Sequence, residues 1–291
     1  MSLVGNHNDF ANYIRNKMLG IRLENPYDNK PNELAYYLLG WMLGDFTKHF
    51  SPTNETKMRL SLELTTKHNE NLGLGEYVAS SLRVLGIPCK RIKDSPIRVR
   101  NPNPKYRWLS AWSPHVKWMY ESCLGLRSNE RTSNNAVRMD WMMTSPSKFR
   151  LWFLRGLADS DGSVNFRNNN VTIITSQNTK LVRELPESLG LNVGVGISKG
   201  CGVVTIATSD AEDLGVFNPE VITHRRKALT KLVAAKKFQR RWPDDLKRKV
   251  KRLICEGENP VKIAHKIFEE DNTYVKTKTI WNYVKKLEPR P

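Results

Sequence analysis

The sequence predicts an α+β protein made of two similar halves and closed by a small all-α module. Three observations predict it. A short run occurs twice, as Leu38-Leu39-Gly40-Trp41-Met42-Leu43-Gly44-Asp45 and as Leu154-Arg155-Gly156-Leu157-Ala158-Asp159-Ser160-Asp161-Gly162. The same succession of helix-like and strand-like stretches follows each copy, which marks an internal repeat. The last part, residues 221 to 291, holds 20 Lys+Arg against 8 Asp+Glu and reads as helices, so it carries most of the net charge of +18.

Residues 1–31 form an N-terminal arm with a loose helical period over 10–23, to which no function is assigned. The first half covers 32–124. Its leading helix starts at Asn32, a good N-cap, with Glu33 in the first turn where a negative charge is favoured, and ends near Asp45. After a turn through Ser51-Pro52-Thr53-Asn54 comes a clear strand over 58–67. Met58, Leu60, Leu62 and Leu64 alternate there with Arg59, Ser61, Glu63, Thr65 and Lys67, so one face is apolar and the other can hydrogen-bond. From the residues alone, that polar face meets either water or base edges in a major groove. A helix over 68–85 follows and stops at Gly86-Ile87-Pro88. Strand-like segments at 90–93, 97–101 and 106–112 place Arg98 and Arg100 opposite Ile97 and Val99, where they are candidates for phosphate or guanine contacts. An amphipathic stretch from Pro114 to Leu124 completes an αββαββα pattern.

The polar composition of 125–137 opens a linker over 125–144. The second half, 145–220, restarts a helix at Ser145-Pro146. Strands follow at 163–166 and 171–176, then a helix over 177–189 bent at Pro186, strands at 193–198 and 203–208, and a short helix from Asp210. A basic connecting helix occupies 221–241, where Arg225-Arg226-Lys227 and the later Lys/Arg pairs are expected to track phosphates. Residues 242–291 resolve into three helix-like segments, 244–255, 260–268 and 278–286, the pattern of a helix-turn-helix domain. Its third segment would offer Thr277, Lys278, Asn282 and Lys285 to a major groove.

The twin run carries the chemistry. Small residues at i and i+4 (Gly40 and Gly44; Gly156 and Ser160) leave one face of each helix nearly bare, so two backbones can meet closely. The aspartate that closes each run opposes the helix dipole, at a cost of roughly 0.3 to 1 kcal/mol. Packing the two helices together also brings like charges into one site, where they resist joint ionisation unless a cation lies between them. Paired acids of this kind suit a divalent metal such as Mg²⁺ (or Mn²⁺), which takes oxygen ligands and completes its shell with water and substrate phosphate.

At these residues the chain resembles the LAGLIDADG homing endonucleases of the single-chain, two-motif kind. The resemblance implies two αββαββα halves with antiparallel saddle sheets meeting at the motif helices, Asp45 and Asp161 as metal ligands, and site-specific double-strand cleavage of DNA at a long asymmetric site. It also implies peripheral helpers: Lys67, with Thr66, where some relatives carry Gln-Lys, and Lys48, three residues after Asp45. In the second half Ser176 and Gln177 fill the matching positions. Ser113 and Ser209 stand where certain relatives have a lysine, and Phe46 replaces the first motif's last glycine. Two halves followed by a helix-turn-helix also resemble the WhiA-type transcription regulators, which keep the fold without the acids. A DNA-binding regulator with weak or no cleavage and an intron RNA maturase therefore stay open as alternatives.

A strongly basic balance points to a polyanionic partner, here double-stranded DNA or intron RNA. No stretch approaches the ~20 apolar residues of a membrane span and no signal pattern opens the chain, so an intracellular, cytoplasmic protein without a membrane partner is expected. Two motifs in one chain remove the need to dimerise, and a monomer is expected. Cys89, Cys123, Cys201 and Cys255 are scattered, which argues against zinc knuckles or a disulfide frame and reads as buried small hydrophobes. The six histidines show no metal-ligand spacing, and none is given a catalytic role.

Overall fold

The computed structural model describes residues 3–18, 30–95, 104–166, 168–198, 200–234, 236–237, 242–271, 273–275 and 277–287. Helix α1 (His7–Tyr13) is capped by Asn6, whose side chain accepts from the Asp9 N–H, and it widens into a π-helical turn at Ile14–Met18. The first half then comprises α2 (Lys30–Leu43), β1 (Thr47–Phe50), β2 (Met58–Thr65), α3 (Glu70–Val84), β3 (Cys89–Ser95), β4 (Lys105–Ser110) and α4 (Pro114–Trp118), the last continuing as a π-helical turn, Met119–Cys123. A short α5 (Asp140–Met143) leads to the second half: α6 (Ser147–Asp161), β5 (Gly162–Asn165), β6 (Asn170–Thr175), α7 (Thr179–Glu187), β7 (Val193–Ser198), β8 (Cys201–Ala207) and α8 (Thr208–Leu214). Helix α9 (His224–Ala234), β9 (Lys236–Lys237), α10 (Asp244–Cys255), α11 (Pro260–Asp271), β10 (Thr273–Tyr274) and α12 (Thr277–Leu287) follow.

The two halves repeat one topology, an antiparallel sheet of order β1-β2-β4-β3 in the first and β5-β6-β8-β7 in the second. The alternation read in β2 is realised, because Met58, Leu60, Leu62 and Leu64 are all buried. Val171, Ile173, Val204 and Ile206 do the same for the second sheet. The expected 58–67 strand stops at Thr65, where the chain turns. Strand β1 was not legible in the sequence, since its four residues Thr47, Lys48, His49 and Phe50 carry no clear apolar period. Helix α2 begins before the expected cap at Asn32, with Pro31 in its first turn, where a missing N–H costs nothing. The strand expected over 97–101 lies outside the described residues.

Helices α2 and α6 meet at the centre, and their glycines set the distance. A Cβ on Gly40 would lie 2.6 Å from the Leu157 nitrogen, and one on Gly156 would lie 2.9 Å from the Tyr37 carbonyl carbon and closer still to its oxygen. Main chain therefore packs on main chain across the pseudo-two-fold axis, as the i, i+4 spacing of small residues predicts.

A single apolar cluster runs through both halves, and it includes segments that the sequence reading left outside them. Phe10, Ile14 and Met18 of the N-terminal segment are buried, and Phe10 stacks between Trp118 (5.6 Å) and Trp141 (5.2 Å). The end of the expected linker, with Met139, Trp141 and Met142, is also core. The three terminal helices have a cluster of their own, built on Leu246, Val250, Leu253, Ile263, Ile267, Val275 and Ile280. Cys89 and Cys123 are buried as expected, whereas Cys201 is half-buried and Cys255 exposed. Among the described residues no helix is long and apolar enough to cross a membrane.

Candidate metal centre and nucleic-acid interface

Because α2 and α6 run side by side and end together, their closing acids share one site. A Cβ on Gly44 would sit 2.9 Å from Asp161 Oδ2. Burial pushes the Asp161 carboxyl up to about 7, the charge of Asp45 pushes the same way, and Arg225 opposes both. Asp45 is exposed by area, yet protein crowds it closely enough that desolvation raises its carboxyl, against Arg225 and Lys105. Burial is thus the main reason both carboxyls are raised, and for Asp161 the like charge of Asp45 adds to it.

A third acid lies behind the pair. Asp159 is fully buried, and desolvation lifts its carboxyl to about 7 despite a hydrogen bond from the Tyr37 hydroxyl (2.9 Å) and another from the Asn218 N–H (3.3 Å). Its second oxygen, Oδ1, has no partner. Arg225, in the first turn of α9, donates to the carbonyl oxygens of both Asp159 and Ser160, the latter at 2.9 Å. It thus caps the C-terminus of α6 and supplies the positive charge that this end of a helix favours.

Lys105 at the start of β4 pairs with Glu63 at 3.1 Å while lying in the field of Asp45. His68 and His224 stack at 4.0 Å, and burial followed by the charges of Arg225 and His68 depresses His224 to about 4.

The donor set fits a hard cation. Mg²⁺ commonly takes one or two carboxylates and fills its remaining positions with water and phosphate, which is what Asp45 and Asp161 offer. Among the described residues no group of three or more His, Cys, Asp and Glu side chains is placed to hold a metal.

The first sheet turns Arg59, Ser61, Glu63 and Thr65 to the face opposite the core. Register adds His49 opposite Arg59, Arg107 opposite Glu63 and Lys105 opposite Thr65, since directly paired residues share a face. Glu63 anchors Arg107 Nε at 2.9 Å, and the Arg59 guanidinium lies 4.5 Å from the Trp112 ring centre. Ser61 shares the face but is buried, so its neighbours screen it from any large ligand. The second sheet's corresponding face carries Ser163, Thr172, Ile174, Val203 and Thr205, with Gly194 and Gly196 on the outer strand.

The solved structures that resemble this chain include the following three. I-DmoI in complex with DNA and Mn is 15% identical over 63% of this chain and 94% of that one, with a TM-score of 0.44. The homing endonuclease I-WcaI bound to its DNA recognition sequence is 14% identical over 72% of this chain and 95% of that one, with a TM-score of 0.45. Full-length DUF199/WhiA from Thermatoga maritima is 12% identical over 94% of each chain, with a TM-score of 0.45. No family model matches the sequence, and no curated protein matches it.

Other residues singled out in the sequence are placed less centrally. Lys48 pairs with Leu60 and so lies on the core side of the first sheet, over the Tyr120 ring at 3.9 Å; burial, then the charge of Arg131, lowers its pKa to about 8. Lys67 stands exposed in the turn after β2. Arg98 and Arg100 lie outside the described residues. On α12, Lys278 and Asn282 are exposed one turn apart beside Trp281, whereas Thr277 is buried; the side chain of Lys285 lies outside the described set. Ser113 accepts from the His115 N–H as the cap of α4, and Ser209 bonds Asp210 at 3.1 Å, so both serve local structure. Phe46 is buried near Trp41, which gives an apolar residue a reason to stand there.

Of the basic run expected to track phosphates, the first three residues make contacts within the protein, with Lys227 exposed, and the side chains of the later Lys/Arg pairs lie outside the described residues. Besides Arg225, Arg226 donates to the Pro219 carbonyl (2.7 Å) and Lys227 pairs with Glu70 (2.6 Å). Lys105 and Asp159 are the residues that sequence reasoning passed over, and Arg225, expected at phosphates, instead caps α6. Asp159 was visible in Asp159-Ser160-Asp161, where its place two residues from the final acid puts it on another side of the helix. Nothing local distinguishes the arginine that folds back from those that stay at the surface.

Proposed function

We propose that this protein is a metal-dependent, site-specific endonuclease of double-stranded DNA. The observation that carries the reading is the coupled acid pair at the joint C-termini of α2 and α6, with Lys105 and Arg225 beside it. Asp45 and Asp161 would hold Mg²⁺ or Mn²⁺. When bound, such ions lower the pKa of water and stabilise charge on a phosphodiester. Lys105 and Arg225 set fixed positive charge next to the acids, where a phosphate held at the pair gains negative charge as it is attacked. The polar face of the first sheet, its counterpart in the second, and Lys278 and Asn282 of a helix-turn-helix would contact the duplex, with Arg and Lys supplying phosphate affinity.

A second reading is a DNA-binding regulator that does not cut. It is favoured by Arg225, which already satisfies two carbonyl oxygens next to Asp161. A bound duplex, selected from a random library, is incubated with Mg²⁺ or Mn²⁺ and either the wild type or the Asp45→Asn, Asp161→Asn double variant. Cleavage of both strands by the wild type alone, with binding by both, is expected. Specific binding with no metal-dependent cutting rejects the nuclease and leaves the regulator; a preference for structured RNA over duplex favours the maturase. Mn²⁺ binding read by calorimetry gives an independent measure. It should weaken by about tenfold per pH unit below 7 as Asp161 takes up its proton.

A further inference from the structure

The two sheets repeat one topology but present different chemistry. Arg59, Glu63, Lys105 and Arg107 charge the open face of the first. Among the described residues the open face of the second has no charged side chain: amides of Asn165 and Asn170 at one end and hydroxyls and methyls from Thr172, Thr205, Ile174 and Val203 occupy it, and Gly194 and Gly196 leave its outer strand smooth. Ile174 is 44% exposed there, an apolar side chain without a cover.

Each chemistry selects a base. A guanidinium fits the O6 and N7 acceptors of guanine, and Arg107, held by Glu63, is prearranged for it. Methyl-bearing side chains suit the thymine C5-methyl, and hydroxyls accept or donate to either base of the pair. A face without charge, however, offers phosphates only neutral donors, which bind them more weakly than Arg or Lys.

The positive charge missing from that face is found on the module docked beside it. Leu232 of α9 and Phe268 of α11 bury together against Val164 and Phe166 of the second half, with Phe166 and Phe268 ring centres 4.6 Å apart. Lys231 closes the contact on Glu269 at 2.8 Å. The terminal helices α10–α12 are thereby held to the second half through Phe268, whereas α9 also reaches the first, where Lys227 pairs with Glu70 and His224 stacks on His68.

We propose that the two half-sites are read by different chemistry: the first sheet selects guanines through Arg59 and Arg107, the second selects thymines through Ile174 and Val203, and the docked module supplies the phosphate grip for the second half-site. This rests on the duplex-binding reading above. The target is then a lopsided one, with G·C pairs on one side and an A·T-rich tract flanked by nonspecific backbone contacts on the other.

Selection from a random duplex library with the full chain, followed by hydroxyl-radical footprinting, tests it. Guanine enrichment in one half-site and thymine enrichment in the other are expected, with backbone protection extending beyond the thymine-rich half only. Arg107→Lys keeps the charge but loses the bidentate fork, so it should cost about 5- to 100-fold in discrimination at its guanine and leave the thymine tract unchanged. Ile174→Ser, at an exposed position that tolerates the change, should cost about fourfold at thymine in the other half only. Guanine in both halves, an effect of Ile174→Ser on the guanine half, or protection beyond that half would overturn the division of labour while leaving duplex binding intact. Enrichment of no duplex at all would overturn both readings together.

Discussion

Gly156→Ala and Gly73→Ala make the same chemical change in two helices and should shift stability in opposite directions. Replacing glycine by alanine within a helix is worth about 0.5 to 1 kcal/mol, because the unfolded chain loses freedom. On α3 an added Cβ at Gly73 meets nothing within 4 Å, so most of that gain should be kept. On α6 a Cβ at Gly156 falls 2.9 Å from the Tyr37 carbonyl carbon and 3.2 Å from its Cα, both main-chain atoms of the facing helix. No rotamer can relieve the clash; α2 and α6 must move apart. Overpacking of this kind costs typically 1 to 3 kcal/mol, and the upper end applies when neither partner is flexible. Subtracting a propensity gain of about 1 leaves a net loss of about 2 kcal/mol. For a chain of this size that is a fall in Tm of roughly 4 to 8 °C. Urea unfolding of the two variants beside the wild type measures both signs, with m unchanged if the two-state description holds. A Gly156→Ala variant as stable as Gly73→Ala would refute the main-chain contact between the motif helices.

The remaining predictions concern the charges behind the site. Asp159 is held near 7 when folded and titrates near 4 when unfolded, so between those values the folded state binds a proton that the unfolded chain does not, and stability falls as pH rises. Asp159→Asn, which keeps an acceptor for Tyr37 and Asn218, should match the wild type near pH 5 and exceed it by about 3 kcal/mol at most at pH 8, because roughly two pH units of the folded-state proton binding lie above pH 5. The depressed His224 acts in the opposite sense, losing stability as pH falls from 6.5 towards 4, and cancels in the difference between the two proteins. A difference that stays flat from pH 5 to 8 would remove the buried charge from the account. Arg225→Met takes away the cation that lowers both acids of the pair and leaves two carbonyl oxygens at the end of α6 unpaired. Its cost should be about 1.5 to 3 kcal/mol. In carboxyl NMR the Asp161 titration should move above 7, and an unmoved titration would show that Arg225 does not act on the pair.

The fold was largely legible because its signals are local and repeated. The alternation of Met58, Leu60, Leu62 and Leu64 needs a strand with one buried face, and the small residues at Gly40, Gly44, Gly156 and Ser160 need a close helix partner. The copy of each run in the other half names that partner. Where local pattern is weak the reading failed. Strand β1 has no apolar period and exists because Thr47 to Phe50 lie against β2, and the N-terminal segment belongs to the core only because Phe10 finds Trp118 and Trp141.

The acid pair itself was determined by the sequence, since helix periodicity and the spacing of small residues suffice to put Asp45 and Asp161 at neighbouring ends. Which cations face them was decided by tertiary structure alone. Lys48 and Lys67 are near Asp45 along the chain, but β-pairing turns Lys48 to the core side and leaves Lys67 in an exposed turn. Lys105 and Arg225, remote in sequence, are brought into the field of the pair. Secondary structure follows from interactions within a few residues, whereas the electrostatics of a site depends on every charge that the packed chain brings within a few ångströms.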